Sequence, residues 1–227
     1  MGFDPEKINV DVEQDLLARL LSFCREGIPL IVSLGRFEDE GYKNSPMVFD
    51  VFRMVRADFS GARLLVLGGP TSVAVPPDLS GNTICLSTLS DATLQSVMHL
   101  CNLGLSLSLW EGFNLPLAEM QWIGRPVLAF NVAAHPEVVA DPWFLCASST
   151  EMARKAVRIL RQDVPATIAT RKRFEHVREH LGWANTFARW TAEIEALTAS
   201  RKPAIESGRR LVLVDVTNFS QARCRGE

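Results

Sequence analysis

The sequence predicts an α/β fold, a single Rossmann-like domain with a mainly parallel sheet and additional C-terminal helices. Two observations carry this. Short apolar runs of strand length alternate with amphipathic stretches of helix length from residue 11 to about residue 198, and most of the runs end at glycine, proline or a small polar residue. Strands that alternate with helices at this spacing form parallel sheets covered on both faces, with ligands held at the carboxyl ends of the strands.

The elements follow in order. Asp11 to Glu26 reads as an amphipathic helix with Leu16, Leu17, Leu20, Leu21 and Phe23 apolar, and Pro29 to Leu34 as a β-branched strand ending at Gly35. Pro46 to Arg56 is a helix, Arg63 to Leu67 a strand stopped by Gly68-Gly69-Pro70, and Asn82 to Leu86 a strand after a proline-rich loop. Asp91, a good cap residue, opens a helix to about Cys101. Strand 103–109, helix 115–123, strand 126–130, a helical turn near Pro136 to Val139 and a weak strand at 143–146 come next. Helices of about 149–161, 166–181 and 184–198 complete the domain. Residues 199–210 read as a linker, and Leu211 to Asp215 as the first strand of a further domain, so 199–227 is set apart from 1–198.

Composition narrows the function classes. The 227 residues are 47% hydrophobic and 22% charged, the profile of a globular protein with a sizeable core. No apolar run reaches the roughly 18 residues of a membrane span, and Met1-Gly2-Phe3-Asp4-Pro5 has no basic signal-peptide start. The five cysteines are scattered without metal-ligand spacing; Cys24, Cys85, Cys101 and Cys146 sit in apolar surroundings, as reduced core residues of a cytosolic protein do. Asn218-Phe219-Ser220 fits a glycosylation sequon but gains no weight without a secretory signal. Residues 1–150 hold 9 basic and 17 acidic side chains, residues 151–227 hold 15 and 9. The basic third could meet an anionic membrane or phosphorylated lipid at the inner membrane face; solvated faces of terminal helices are the plainer reading. Its basic residues lack aromatic interleaving, which argues against nucleic acid.

The most informative stretch is Glu111-Gly112-Phe113-Asn114-Leu115-Pro116-Leu117-Ala118-Glu119. It reads as a strand exit, a glycine turn that lets backbone approach a ligand, and a helix start with Asn114 as cap and Pro116 in the first turn. A helix N-terminus facing the end of a parallel strand offers unpaired N–H groups and the positive end of a dipole to phosphate. Glu111 and Glu119 cannot hold that phosphate, but they can accept hydrogen bonds from sugar hydroxyls on either side of it. A diphosphate with a sugar at each end is a nucleotide-sugar.

Two further sets fall at carboxyl ends of strands. Gly35-Arg36, followed by Lys43-Asn44, supplies a guanidinium fork and a compact ammonium that could offset a diphosphate without a metal. The loop Ser87 to Asp91, with Leu89 at its centre, suits a nucleobase. Taken singly, Arg36, Lys43 and Glu119 would pass for surface residues; their joint placement gives them weight. His135 is read as structural, and Trp122, Trp143, Trp183 and Trp190 as core.

At 111–139 (Glu-Gly-Phe-Asn-Leu-Pro-Leu-Ala-Glu through His-Pro-Glu-Val-Val) the chain resembles the donor-site signature of retaining GT-B glycosyltransferases, the large group-1 family of bacterial mannosyl- and glucosyltransferases for lipopolysaccharide and capsule. The resemblance covers about 28–198. It implies that Arg36 and Lys43 hold the diphosphate, Glu111 binds hydroxyls of the transferred sugar and Glu119 those of the ribose. It also places the amides of Phe113, Asn114 and Leu115 near the distal phosphate, with UDP or GDP as carrier and no separate cofactor or metal. Only the donor half of a GT-B enzyme is present, so an acceptor-binding domain is expected to precede residue 1. Partners would then be the donor and a sugar or lipid-linked acceptor. Two other classes remain open: a sugar-nucleotide epimerase or phosphorylase-like enzyme, and a non-catalytic domain kept for assembly or regulation.

Overall fold

A computed structural model describes residues 14–68, 72–87, 89–164 and 170–200. The expected strand at 211–215 and linker at 201–210 lie outside the described residues. The described residues up to 188 form one compact unit, and those from 189 onward are helical through residue 200.

The elements are α1 (Gln14–Arg25), β1 (Leu30–Arg36), α2 (Met47–Asp58), β2 (Arg63–Leu67), β3 (Thr83–Leu86) and α3 (Asp91–Leu100). They continue as β4 (Leu103–Ser106), α4 (Leu115–Trp122), β5 (Val127–Phe130), α5 (His135–Val138), β6 (Leu145–Cys146), α6 (Ser149–Leu160), α7 (Thr170–His176) and α8 (Trp183–Ser200). Short 3-10 turns cover Pro77–Asn82 and Pro142–Phe144, and a π turn covers Val177–Leu181 directly after α7, so of the helix expected over 166–181 the described part, 170–181, is helical with a widened last turn.

All strand pairs are parallel, in the order β3-β2-β1-β4-β5-β6. The chain winds one way from β1 to β3, then returns to the other side of β1 for β4. The crevice between the carboxyl ends of β1 and β4 is therefore the topological switch point where such sheets bind ligands. Every residue of β4 and β5 is buried, as are the first five of β1, which explains why these strands read as continuous apolar runs. Phe52, Phe144, Leu20, Ile31, Leu65 and Leu105 are among the large side chains sealed in the core.

β1 and β2 step out of register between Ser33 and Arg36: Ser33 pairs with Val66, yet Arg36 pairs with Leu67. The extra residues form a bulge at Gly35, whose φ of +89° lies in the left-handed region open to glycine. The bulge re-aims the end of β1 and carries it two residues past the expected stop at Leu34.

Several local expectations are corrected. Asp91 does not cap α3; Ser90 does, its hydroxyl accepting from the Thr93 amide at 3.2 Å. The run 103–109 is a strand only to Ser106, because Leu107 to Trp110 turn away to meet the loop after β1. Trp122 and Trp143 are partly buried against the core, but Trp183 and Trp190 are exposed. Cys24 is exposed as well, whereas Cys101 and Cys146 are buried and burial holds both thiols well above the usual range. Among the described residues no helix is long and apolar enough to cross a membrane.

Candidate functional site at the sheet switch point

Three loops converge at this crevice. The loop after β1 is tied to the loop after β4 by the Leu109 amide donating to the Tyr42 carbonyl at 2.7 Å and by the Asn44 amide group donating to the Leu107 carbonyl at 3.2 Å. Between these ties, Lys43 Nζ lies 2.6 Å from Glu111 Oε1, and Ser108 Oγ donates to the same oxygen at 2.9 Å. Both ionic side chains are mostly sheltered, at 20% and 12% exposure. Burial opposes the Lys43 charge, but the hydrogen bond and the charge of Glu111 outweigh it and hold the ammonium above its ordinary value. Lys43 also lies over the Tyr42 ring, at 5.0 Å, and Tyr42 meets exposed Trp110 edge-on.

On the other side of β1, Arg36 is exposed and forms no ion pair among the described residues. It lines a cavity of about 480 Å³ with Phe37, Leu67, Gly68, Leu86, Leu89 and Leu94, at the carboxyl ends of β1, β2 and β3. Leu89 lies in the loop between β3 and α3 and borders this recess; Thr88 lies outside the described residues. Glu119, on α4, is half-buried, and burial raises its pKa with the charge of Asp91 adding to the effect. A solvated surface position, which Glu119 alone would suggest, does not describe it.

Gly112 is exposed, and a side-chain carbon there would meet nothing within 4 Å. Among the described residues nothing fills the space beside it. Phe113 packs partly against the core and Leu115 begins α4.

The expected role of Asn114 as cap is overturned. Its side chain makes no capping bond; φ is +70° and ψ +70°. The amide nitrogen instead donates to Ser106 Oγ and to His135 Nε2, each at 2.9 Å. The cap fails because the left-handed backbone turns the side chain inward, toward the ends of β4 and β5. His135 is fully buried and lies 2.8 Å through Nδ1 from the Phe130 carbonyl, in keeping with a structural reading.

One contributor was invisible in the sequence. Gln121, fully buried on α4, donates to the Leu117 and Val138 carbonyls at 3.0 and 2.9 Å and accepts from the Ala140 amide at 2.7 Å. It fastens α4 to the segment after α5. A glutamine in an otherwise apolar helix stretch was the available signal, but its partners lie 17 and 19 residues away. Among the described residues no cluster of His, Cys, Asp or Glu could hold a metal ion.

The carboxyl ends of β1 and β4 lead to a fork, an ammonium, an open glycine turn and a helix N-terminus, and the fork borders an apolar recess. Solved structures share the architecture. Sucrose-phosphate synthase from Thermosynechococcus elongatus superposes with a TM-score of 0.62 at 17% identity, over 88% of this chain and 52% of its own. HepE of Anabaena, solved with UDP-glucose, gives 0.60 at 15%, over 86% and 56%. Staphylococcus aureus TarM, solved with fondaparinux, α-GlcNAc-glycerol and UDP, gives 0.62 at 19%, over 73% and 35%. At these identities the likeness is one of fold, and this chain spans about half the length of the first two, as one Rossmann-like half of a GT-B fold does. No curated protein matches the sequence. The sequence profile of the glycosyl transferases group 1 family matches residues 28–162, more than half of the chain, and the chain belongs to that family.

Proposed function

We propose that this chain is the donor-binding domain of a retaining, metal-independent glycosyltransferase, which takes a UDP- or GDP-sugar and passes the sugar to a sugar or lipid-linked acceptor in polysaccharide or lipopolysaccharide synthesis. The observation that supports the reading is the sheltered Lys43–Glu111 pair tying the loop after β1 to the loop after β4, with Arg36 at the carboxyl end of β1 and α4 starting at Leu115, in a member of this family. Acceptor recognition belongs to a second domain, and the reaction to the cleft between the two.

In this reading the base enters the recess beside Leu89, the ribose hydroxyls reach Glu119, and the diphosphate spans Arg36, Lys43 and the amides of Phe113 to Leu115. Glu111 takes hydroxyls of the transferred sugar. A bare Glu111 carboxylate roughly 5 Å from a phosphate would cost about 3 kcal/mol at an effective dielectric near 20; the ammonium of Lys43 against it removes most of that repulsion. The bond between the anomeric carbon and the diphosphate oxygen breaks, and the acceptor oxygen bonds to that carbon on the same face. Its proton passes to the departing phosphate oxygen, whose charge the cations and the helix dipole stabilise.

Titration of the chain with UDP and GDP in EDTA tests the donor site. Binding is expected, weakened about tenfold by Arg36→Ala and by Lys43→Ala, the worth of one charge-assisted bond. Unchanged affinity in both variants overturns the assignment. Anomeric analysis of the product made by the full-length enzyme tests retention.

A further inference from the structure

His135 stands outside every role assigned so far, yet two consecutive residues at its position grip the turn between Glu111 and α4. The Ala134 amide donates to the Glu111 carbonyl at 3.3 Å, and the His135 ring reaches the Asn114 side chain at 2.9 Å. The segment that does this is itself held in an unusual shape, with Ala133 at a φ of +48°.

The hydrogen-bond roles follow from chemistry. The Phe130 carbonyl can only accept, so Nδ1 of His135 carries the proton. Nε2 of the neutral ring is then bare and accepts from the Asn114 amide nitrogen. Burial lowers the His135 pKa; the Phe130 carbonyl and Glu111 oppose that, and Lys43 adds to it, with the net effect of keeping the ring neutral. The second hydrogen of the same amide nitrogen goes to Ser106 Oγ, at the end of β4. Both hydrogens are therefore spoken for, one by the last residue of β4 and one by the first residue of α5. Asn114 needs that hold, because a non-glycine residue at a φ of +70° sits in a region disfavoured by its own side-chain carbon.

We propose that His135 is a positioning residue for donor binding: through the Asn114 side chain it fixes the left-handed turn that sets where the first amides of α4 point. The inference rests on the donor-site reading above. A ring that only filled the core would not need its bare nitrogen aimed at the residue that opens the phosphate-facing helix.

A double-mutant cycle separates positioning from support of the fold. Affinity for UDP and for GDP is measured by calorimetry in the unaltered chain, His135→Gln, Asn114→Gly and the pair. Glycine takes a φ of +70° without a side chain to be held, so His135 should matter only when Asn114 is present. His135→Gln is expected to weaken binding about tenfold in the native background and less than about twofold in the Asn114→Gly background. Equal losses in the two backgrounds, or no loss in the native one, overturn the proposal. Ser106→Ala removes the other acceptor with little risk to folding and gives a parallel cycle: a loss confined to the native background supports the proposal, and an equal or absent loss overturns it. Should neither nucleotide bind the unaltered chain, the donor reading fails and the inference falls with it; binding with additive losses overturns the inference alone.

Discussion

Lys43 and Glu111, 68 residues apart, form a sheltered ion pair of 2.6 Å across the switch point of the sheet. The pair closes the loop after β1 onto the loop after β4, and it leaves the carboxylate partly neutralised where an anionic ligand would approach.

That pair should be visible in alkaline stability. The Lys43 pKa is raised in the folded chain above the ordinary value of 10.5, so its contribution is complete below that value and is lost as pH rises through the folded one. Thermal unfolding of the native chain should fall more steeply than that of Lys43→Met as pH rises past this value. Parallel curves would remove Lys43 as a contributor.

Glu119 should trade stability for binding. Its pKa is raised by burial and by Asp91, so the folded state resists ionisation. The resulting cost is absent below the ordinary carboxylate value of 4.5, grows as pH rises from there, and is complete above the folded pKa. Glu119→Gln should therefore raise the melting temperature at neutral pH while weakening nucleotide binding. A lower melting temperature in this variant would contradict the argument.

The bulge at Gly35 should resist any side chain. A carbon added there meets nothing within 4 Å, so the penalty of Gly35→Ala is purely that of a φ near +89°. It should amount to about 1–2 kcal/mol in urea unfolding and come with a loss of nucleotide affinity, since Arg36 follows directly. An unchanged urea midpoint would show that the bulge relaxes freely.

Gln121→Leu keeps the volume but abandons the Val138 carbonyl and the Ala140 amide, both partners of the buried side chain. The expected cost is about 1–3 kcal/mol for buried groups left unpaired, read as a shift of the urea midpoint. A neutral result would mean that those groups find other partners.

Much of the fold was legible because its signals are local. β2 was placed from Arg63 to Leu67 as observed, and α2, β3, α4 and β5 within two residues at each end, since apolar runs and their stop residues lie within a few positions of each other. Caps were less legible: Ser90 and Asp91 are both good cap residues, and only the backbone angles decide between them. The exposed Trp183 and Trp190 show the same limit, because helical apolar spacing does not say whether a face is covered.

For the site, the residue types were readable along the chain: a glycine and arginine closing β1, a lysine in the loop after it, and glutamates before and within α4. Parallel winding brings the ends of β1 and β4 side by side. The pairings came from the folded chain: Lys43 with Glu111, Asn114 with Ser106 and His135, and Gln121 with the end of α5 and a residue beyond it. Apart from Asn114 with Ser106, only 8 residues off, the partners are 17 to 68 residues apart along the chain. The reason is physical. A backbone element follows from short-range sterics and burial, whereas a polar side chain chooses among all donors and acceptors that folding brings within about 3 Å.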